Sequence, residues 1–334
     1  MKTRFASASR REQLASAALL GFAGRVCRIE TDSPRLMELA CEFFPCASVD
    51  SRDAIEANIA LKVRAMRLAL AAALFPVFRG RGAFVHADYG AHGSVWFDLK
   101  ARAVDGFVSH ELVEDAERFR RSVLAVLAGV LAPSVGVVGV HAGCVVREGK
   151  AVLLAAPSGA GKSTTTLALA QRGWSLLSDD WTFVASTSAG LRAWGMQTSL
   201  KLLPDAVRFF PQLSTLTPGM SLNGEIAYEF NPWSVFHLGR AAYAAPAAIL
   251  LIDRDPCPTP ATACRITHAD RQETYRILLA DLEEQPVEVV RQGGSATEAI
   301  ERIAGLPAAR ALISGKPSEA AAAIDEFLRE RIRG

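Results

Sequence analysis

The fold is decided by the nine residues Ala156-Pro157-Ser158-Gly159-Ala160-Gly161-Lys162-Ser163-Thr164. A short apolar run, 151–156, precedes them, and a helical pattern follows from about residue 161 to 172, closed by Gly173. A glycine-rich turn between a buried strand and a helix gathers backbone N–H groups around an anion, because glycine tolerates positive φ and the helix dipole favours negative charge. The sequence therefore predicts a phosphate-binding loop within an α/β fold.

Each position of this loop has a predicted role in binding a nucleotide. Lys162 offers a flexible positive charge to the phosphates, and the Ser163 hydroxyl is a ligand for Mg²⁺. The usual pattern begins with glycine, and Ala156 stands in that place. We therefore expect ATP and Mg²⁺ as cofactors, with the nucleotide contacted by Pro157, Ser158, Gly159, Ala160, Gly161, Lys162, Ser163 and Thr164.

Two adjacent carboxylates, Asp179 and Asp180, follow the next strand-like run after the loop helix. On an extended backbone they point in different directions, so they can take different roles. One can hold a metal while the other accepts the proton of a hydroxyl that attacks phosphorus. A solvated turn capped by aspartates is the alternative, and the neighbouring loop favours function.

Three further residues are weaker candidates. His141 lies on the strand before the loop strand, where a neutral imidazole can contact a phosphate or serve only in packing. Lys201 and Arg240 could add positive charge toward a transferring phosphate. Ordinary surface charge is the alternative for both.

The pattern of apolar residues predicts three segments. Residues 1–109 have the sequence pattern of a small α/β domain, which includes a hairpin over 83–88 and 94–99. An amphipathic helix over 110–131, ended by Pro133, makes residues 110–134 a linking helix. Residues 135–334 form the domain that carries the phosphate loop.

Composition excludes several classes of protein. The net charge of +2 creates no general attraction for nucleic acid. The longest apolar run, 68–78, is about half the length of a membrane-spanning helix and contains Pro76. The amino-terminal residues do not form a clean signal peptide, and the six cysteines show no metal-binding spacing. We expect a cytoplasmic protein.

Taken in order, the motifs resemble those of a known family. The order is His141-x-Gly143, the loop from Pro157 to Ser163, Arg172-Gly173 and Ser178-Asp179-Asp180. It resembles the catalytic domain of HPr kinase/phosphorylase, and more closely the HPr-kinase-related proteins of bacterial peptide-modification clusters. Some of these phosphorylate a serine of a lasso-peptide precursor. The resemblance is sharp over residues 138–184 and implies a P-loop fold like that of phosphoenolpyruvate carboxykinase, with a mixed sheet.

The resemblance also implies roles for individual residues. Asp179 matches the acid/base aspartate, Asp180 the metal-associated aspartate, and His141 a histidine near the transferred phosphate. The family's second signature, of the type Glu-Ile-Arg-Gly, is not evident. Residues 224–226 (Gly-Glu-Ile) resemble it only superficially and at a different spacing, so the HPr substrate and phosphorylase activity lack support.

The function expected from these observations is a kinase that transfers the γ-phosphoryl group of ATP to a hydroxyl. The acceptor we expect is a serine of a peptide, such as a lasso-peptide precursor, or of a small protein. A kinase of the same fold that acts on free serine or a sugar is one alternative. A nucleotide-binding sensor or assembly partner without activity is another, and the sequence leaves a homo-oligomer open.

Overall fold

The computed structural model describes residues 16–44, 55–66, 69–70, 75–196, 199–221, 224–257, 262–283 and 294–332. Over these residues the chain is an α/β protein with a seven-stranded and a nine-stranded sheet, both mixed, and a three-stranded antiparallel sheet. The elements that position the loop all belong to the nine-stranded sheet, so that sheet is the frame of the candidate site.

The seven-stranded sheet contains the first strands of the chain. They are β1 (Ser16–Phe22), β2 (Arg25–Thr31), β3 (Ile55–Arg64), β4 (Val77–Arg81), β5 (Phe84–Asp88), β6 (Gly93–Asp98) and β7 (Ala103–Ser109). Their order is β1-β2-β3-β7-β6-β5-β4, with β3 parallel to both its neighbours. The β5–β6 pair confirms the predicted hairpin, with a short 3₁₀ turn at Gly90–His92 between the strands.

Helices cover one face of this sheet. They are α1 (Pro34–Phe43), α2 (His110–Glu114), α3 (Ala116–Phe119) and α4 (Ala125–Leu131), with a π-helical turn at Arg120–Leu124 and a 3₁₀ turn at Ala132–Val135. The prediction of one continuous helix over 110–131 is therefore wrong. Asp115 leaves the helical conformation (φ −82°, ψ 81°), and its side chain caps the next helix at the N–H of Arg118. Aspartate favours such a cap over a helix interior, so it interrupts an otherwise helical apolar pattern.

The nine-stranded sheet is built from later strands. They are β8 (Val137–Val140), β9 (Ala142–Arg147), β10 (Lys150–Ala155), β11 (Ser175–Ser178), β12 (Thr182–Thr187), β13 (Gly190–Gly195), β17 (Tyr243–Arg254), β18 (Cys264–His268) and β19 (Ala308–Ile313). The main order is β11-β9-β10-β17-β13-β12-β8, and β19 also pairs with β17. Strand β17 runs parallel to β10 and β19, whereas β9 is antiparallel to β10 and β11.

Both faces of this sheet are buried. Helices α5 (Lys162–Gln171) and α9 (Pro317–Ile332) cover one face, and α7 (Arg271–Glu283) and α8 (Gly294–Ala304) cover the other. On β10, Val152 and Leu154 enter the first core, while Leu153 and Ala155 enter the second. This explains why the strand before the loop has an unbroken apolar sequence instead of an alternating one.

A small sheet and one short helix complete the described elements. The sheet has the order β14-β16-β15, from β14 (Leu200–Leu202), β15 (Gly219–Met220) and β16 (Ile226–Phe230). The helix is α6 (Pro232–Phe236), and 3₁₀ turns occupy Pro204–Arg208 and Pro211–Thr215. Among the described helices, none has the length and apolar content needed to cross a bilayer.

Packing crosses from the first sheet to the second. The rings of Phe22 and Phe183 meet edge to face with centroids 5.0 Å apart, and Phe183 belongs to the same buried cluster as the first sheet and its helices. A Cβ on Gly24, in the β1–β2 turn, would lie 2.9 Å from the Trp194 ring. The division into domains at 109 and 135 stays a prediction.

Candidate functional site

The loop lies at the edge of the nine-stranded sheet where β10 ends. Gly159 and Gly161 have φ of +77° and +103°, the positive values that the sequence predicted for a phosphate loop. Gly161 is the N-cap of the ten-residue helix α5, and the N–H of Ala160 donates to the carbonyl of Pro157. Pro157, Ser158 and Gly159 are exposed, so the loop is open to a ligand.

The antiparallel neighbours of β10 bring the other predicted residues to the same edge. Ala142 pairs with Ala155 at the end of β10, which places His141 beside the start of the loop. Strand β11 is antiparallel to β9, so its carboxyl end delivers Asp179 and Asp180 there too. Tertiary pairing thus gathers residues that are separated by up to 39 positions in the sequence.

Hydroxyl groups anchor the turn that carries the two aspartates. The Oγ of Ser178 and the Oγ1 of Thr182 lie 2.6 Å apart. Thr182 donates to the carbonyl oxygen of Ala142 over 2.7 Å, and Ser178 contacts the same oxygen at 3.4 Å. The turn is therefore held against the residue that follows His141.

Asp180 contacts both the His141 and the Lys162 side chains. Its Oδ1 lies 2.8 Å from Nε2 of His141 and 3.1 Å from Nζ of Lys162. Partial removal from water raises the pKa of the half-exposed Asp180, but the hydrogen bond from His141 and the charge of Lys162 outweigh it and hold the pKa well below its usual range. The carboxylate therefore stays ionised, as a metal-binding or charge-balancing group requires.

Asp179, in contrast to Asp180, lies in a buried environment. Its side chain is only 8% exposed, and burial raises its pKa to about 7 despite the charge of Lys162. The Ser163 side chain and the backbone N–H of Lys201 donate to the carboxylate. Its Oδ1 is buried without a hydrogen-bond partner among the described residues. A buried acceptor without a donor is costly, so it marks a place where a ligand donor belongs.

Trp181 is a residue of the site that sequence reasoning missed. Its ring stacks on the His141 ring with centroids 5.6 Å apart and an interplanar angle of 23°. The stack fixes the plane of the imidazole while Asp180 fixes its Nε2. The signal in the sequence was the position of Trp181 directly after the two aspartates.

Lys201 lies beside Asp179, but its ammonium group is already paired with Glu225. The Nζ of Lys201 is 2.5 Å from the Oε2 of Glu225, and the backbone of Lys201 supports Asp179. Glu225 belongs to the segment whose similarity to a second signature was only superficial in the sequence. The structure brings Glu225 into contact with Lys201, whose backbone donates to Asp179.

Arg240 is not brought to this cluster. Its guanidinium lies over the Trp233 ring at 4.5 Å from the centroid, and its backbone bridges to Leu176, inside β11. Burial lowers the pKa of Arg240. Among the described residues, its contacts are those of a packing residue.

Arg254 is an arginine near the loop that the sequence did not single out. It ends β17, the strand parallel to β10. A Cβ built on Gly161 would lie 3.8 Å from Nη2 of Arg254. The signal in the sequence was an arginine two residues after the apolar run 247–252, at the carboxyl end of a parallel strand.

The residues present suit a nucleotide with Mg²⁺. Glycines at positive φ, a lysine, a hydroxyl and an ionised carboxylate are groups that bind phosphate and a hard cation. In the described part of the chain, no three His, Cys, Asp or Glu side chains cluster as a complete metal site. Ser163 and Asp180 would therefore supply only part of the ligand shell, and phosphate oxygens and water usually complete it for Mg²⁺.

Comparisons with known proteins give partial similarities. The profile of the SynChlorMet cassette protein ScmC family matches residues 119–210, which is less than a third of the chain and includes the loop and both aspartates. A solved structure of the Hpr(Ser) kinase/phosphatase from Coxiella burnetii is similar at 14% identity, with a TM-score of 0.31, covering 59% of this chain and 99% of that one. The comparison with curated proteins found no match.

Proposed function

We propose that the protein is a kinase that transfers the γ-phosphoryl group of ATP to a hydroxyl group. One observation carries the proposal. Within the described part of the chain, the Oδ1 of Asp179 is buried without a hydrogen-bond partner, and Asp179 lies next to the loop residues Lys162 and Ser163. An acceptor hydroxyl that reached this oxygen would supply the missing donor and lose its proton there.

The proposed reaction moves one phosphoryl group and one proton. The acceptor oxygen forms a bond to the γ-phosphorus, its proton passes to the Asp179 carboxylate, and the bond from the γ-phosphorus to the bridging oxygen breaks to release ADP. Mg²⁺ held by Ser163 and Asp180 would neutralise charge on the phosphates. Lys162 contributes positive charge toward the same group, and its side chain is only 10% exposed, which strengthens its electrostatic effect.

His141 acts on the aspartate rather than on the transfer itself. It donates to Asp180 and stacks on Trp181, so it fixes the orientation of a carboxylate beside Lys162. This is the role of a positioning residue, and outer contacts of this kind commonly control how well an inner group performs.

A serine of a peptide or small protein is the acceptor we propose, and the resemblance to peptide-modifying kinases supports it. We also propose residues 135–334 as the catalytic domain, 1–109 as a separate domain, and 110–134 as the segment that links the two. Support for this division comes from the chemistry, because all the predicted loop and acid/base residues lie after residue 135.

The test is transfer of label from γ-labelled ATP. The wild type would be incubated with a serine-containing peptide library, a matched library with alanine for serine, free serine and a set of sugars. We expect labelling of serine peptides only. Asp179→Asn should reduce transfer by about 10²–10⁴-fold while leaving ATP binding in place, because it removes a base and not a phosphate contact.

Asp105→Asn is the matched control, since Asp105 is exposed on β7 and the change is the same in kind. Equal transfer by wild type and Asp179→Asn would refute the assigned base. ATP binding without transfer to any hydroxyl would favour a nucleotide-binding sensor, and labelling of free serine or sugar would favour a small-molecule kinase.

A further inference from the structure

Arg254 reaches the phosphate loop through the parallel pairing of two strands. Ala155, the last residue of β10, pairs with Leu251 of β17. From there β10 turns into the loop, while β17 continues for three more residues to Arg254. Ligands in α/β sheets bind beyond the carboxyl ends of such strands. Arg254 therefore ends at the edge where the loop begins.

The guanidinium of Arg254 lies beside Gly161 of the loop. A Cβ built on Gly161 would be 3.8 Å from its Nη2 and 4.0 Å from its Cζ, which is van der Waals distance. Gly161 has φ +103° and is the N-cap of α5, so the arginine sits beside the first turn of the loop helix. The same first turn holds Ser163 against Asp179, whose Oδ1 has no hydrogen-bond partner in the residues that the structure describes.

The charge of Arg254 is not balanced within the described part of the chain. Two aspartates flank Arg254 in sequence, and both pair with other arginines. The Oδ2 of Asp253 lies 3.0 Å from Nη1 of Arg310, and the Oδ1 of Asp255 lies 3.0 Å from Nη2 of Arg265. Arg310 also pairs with Glu273. The Oδ1 of Asp253 accepts the backbone N–H of Arg254 over 2.8 Å. The local carboxylates thus hold the end of β17 in place and leave the exposed Arg254 side chain without an ion-pair partner among the described residues.

An arginine of this kind suits a polyphosphate. Its planar fork of donors matches two phosphate oxygens at once, and the pair is stronger than a neutral hydrogen bond. The charge of Lys162 is less available to a ligand, because its ammonium group already contacts the Asp180 carboxylate. Arg254 is the more available of the two cations near the loop.

We propose that Arg254 is a phosphate-binding residue that contacts the phosphate chain of the bound nucleotide and selects di- and triphosphates over monophosphates. The inference rests on the proposed function, in that it assumes a nucleotide in this loop. It adds a residue outside the loop motif, whose backbone N–H is held by Asp253, which in turn pairs with Arg310.

The experiment measures binding of ATP, ADP, AMP and inorganic tripolyphosphate by calorimetry, with Mg²⁺ present, on the full chain. Arg254→Ala should weaken ATP, ADP and tripolyphosphate binding by about 10-fold or more and leave AMP binding unchanged. Arg254→Lys should recover part of the loss, because it restores charge without the fork. Arg276→Ala, an exposed arginine on α7, is the control and should bind like wild type.

The outcomes separate this inference from the proposed function. ATP binding by Arg254→Ala that equals that of Arg276→Ala overturns the inference and leaves the kinase proposal standing. Failure of wild type to bind ATP overturns the kinase proposal. In that case tripolyphosphate binding that depends on Arg254 still supports the anion contact, and absence of any binding overturns both. Arg254 is exposed, so its variants should fold, and their thermal melting would verify it.

Discussion

Gly143 faces Thr166 so closely that a Cβ on Gly143 would lie 2.5 Å from the Oγ1 of Thr166. The same Cβ would be 3.1 Å from the carbonyl oxygen of Asp179. Strand β9 thus touches the loop helix and the aspartate turn at one point. Only a glycine fits there, which explains in physical terms why His141 is followed two residues later by Gly143.

Gly143→Ala should therefore destabilise the protein by about 1–3 kcal/mol, since overpacking a tight contact displaces the backbone or the neighbour. Thr166 cannot easily rotate away, because it is β-branched and its Oγ1 donates to the Lys162 carbonyl at 2.9 Å. Urea unfolding measures the loss. The control is Gly129→Ala in α4, where a Cβ meets nothing within 4 Å and helix propensity rises.

The contact with Thr166 predicts a specific rescue. Adding Thr166→Ala to Gly143→Ala removes the atom that clashes, so the double variant should cost less than the two single changes together. A strictly additive pair would show that the strain of Gly143→Ala lies elsewhere, at the Asp179 carbonyl.

His141→Ala should lower the rate of phosphoryl transfer about 10–100-fold, because Asp180 loses a hydrogen bond that orients it. His141→Gln keeps a donor in reach of Asp180 and should recover part of the rate. The substitution should change kcat more than the KM for ATP. A purely structural defect would not separate the two constants in this way. His268→Ala, at an exposed histidine on β18, is the control. Equal loss in the Ala and Gln variants would contradict the positioning role.

Asp325→Asn should lower the free energy of unfolding by about 2–3 kcal/mol, since several charge-assisted hydrogen bonds meet on this one carboxylate. Asp325 is 2% exposed, and its partners are Arg147 at 2.5 Å, Trp174 Nε1 at 2.9 Å, Arg329 at 3.0 Å and Arg172 at 3.3 Å. Urea unfolding of Asp325→Asn against Glu326→Gln, an exposed neighbour, measures the difference. Identical midpoints would contradict the prediction.

The Asp325 carboxylate also predicts how the free energy of unfolding decreases in acid. Burial raises the pKa of Asp325, but the hydrogen bonds from Arg329 and Trp174 and the charges of Arg147 and Arg329 outweigh it and lower the pKa to about 2. An unfolded aspartate titrates at about 3.9. The stabilisation is therefore complete above about pH 4 and is lost as the pH falls toward 2. The gap between wild type and Asp325→Asn should close over that window, and a gap that stays constant would exclude Asp325 as its source.

The Arg172-Gly173 pair shows how a motif in sequence can have a structural explanation. It contributed to the family resemblance, yet the structure directs Arg172 to Asp325 and gives Gly173 a φ of +88° at the end of α5. The pair closes the loop helix and ties it to α9. Sequence order alone did not separate this role from a role in the site.

In the linking segment, residues 110–134, the structure departs from what the apolar pattern predicts. Apolar spacing from His110 to Leu131 is continuous, and nothing in it marks the end of one helix and the start of another. The break occurs because Asp115 caps α3, and π-helical hydrogen bonding follows at residues 120–124. Local polar chemistry competes with periodicity, and the balance depends on packing against the first sheet.

The sequence by itself determined the local features of this protein. Glycine at 159 and 161, an apolar strand before them and a helix after them suffice for a phosphate loop, because backbone conformation and burial pattern are properties of short segments. The tertiary structure decided which distant residues share the loop's edge. Strand pairing brought Asp179, His141 and Arg254 there. The tertiary structure also placed Arg240 over Trp233, and it buried Asp179 while leaving Asp180 half-exposed. The reason is that strand order and register join segments across the chain, and no spacing in the sequence encodes them locally.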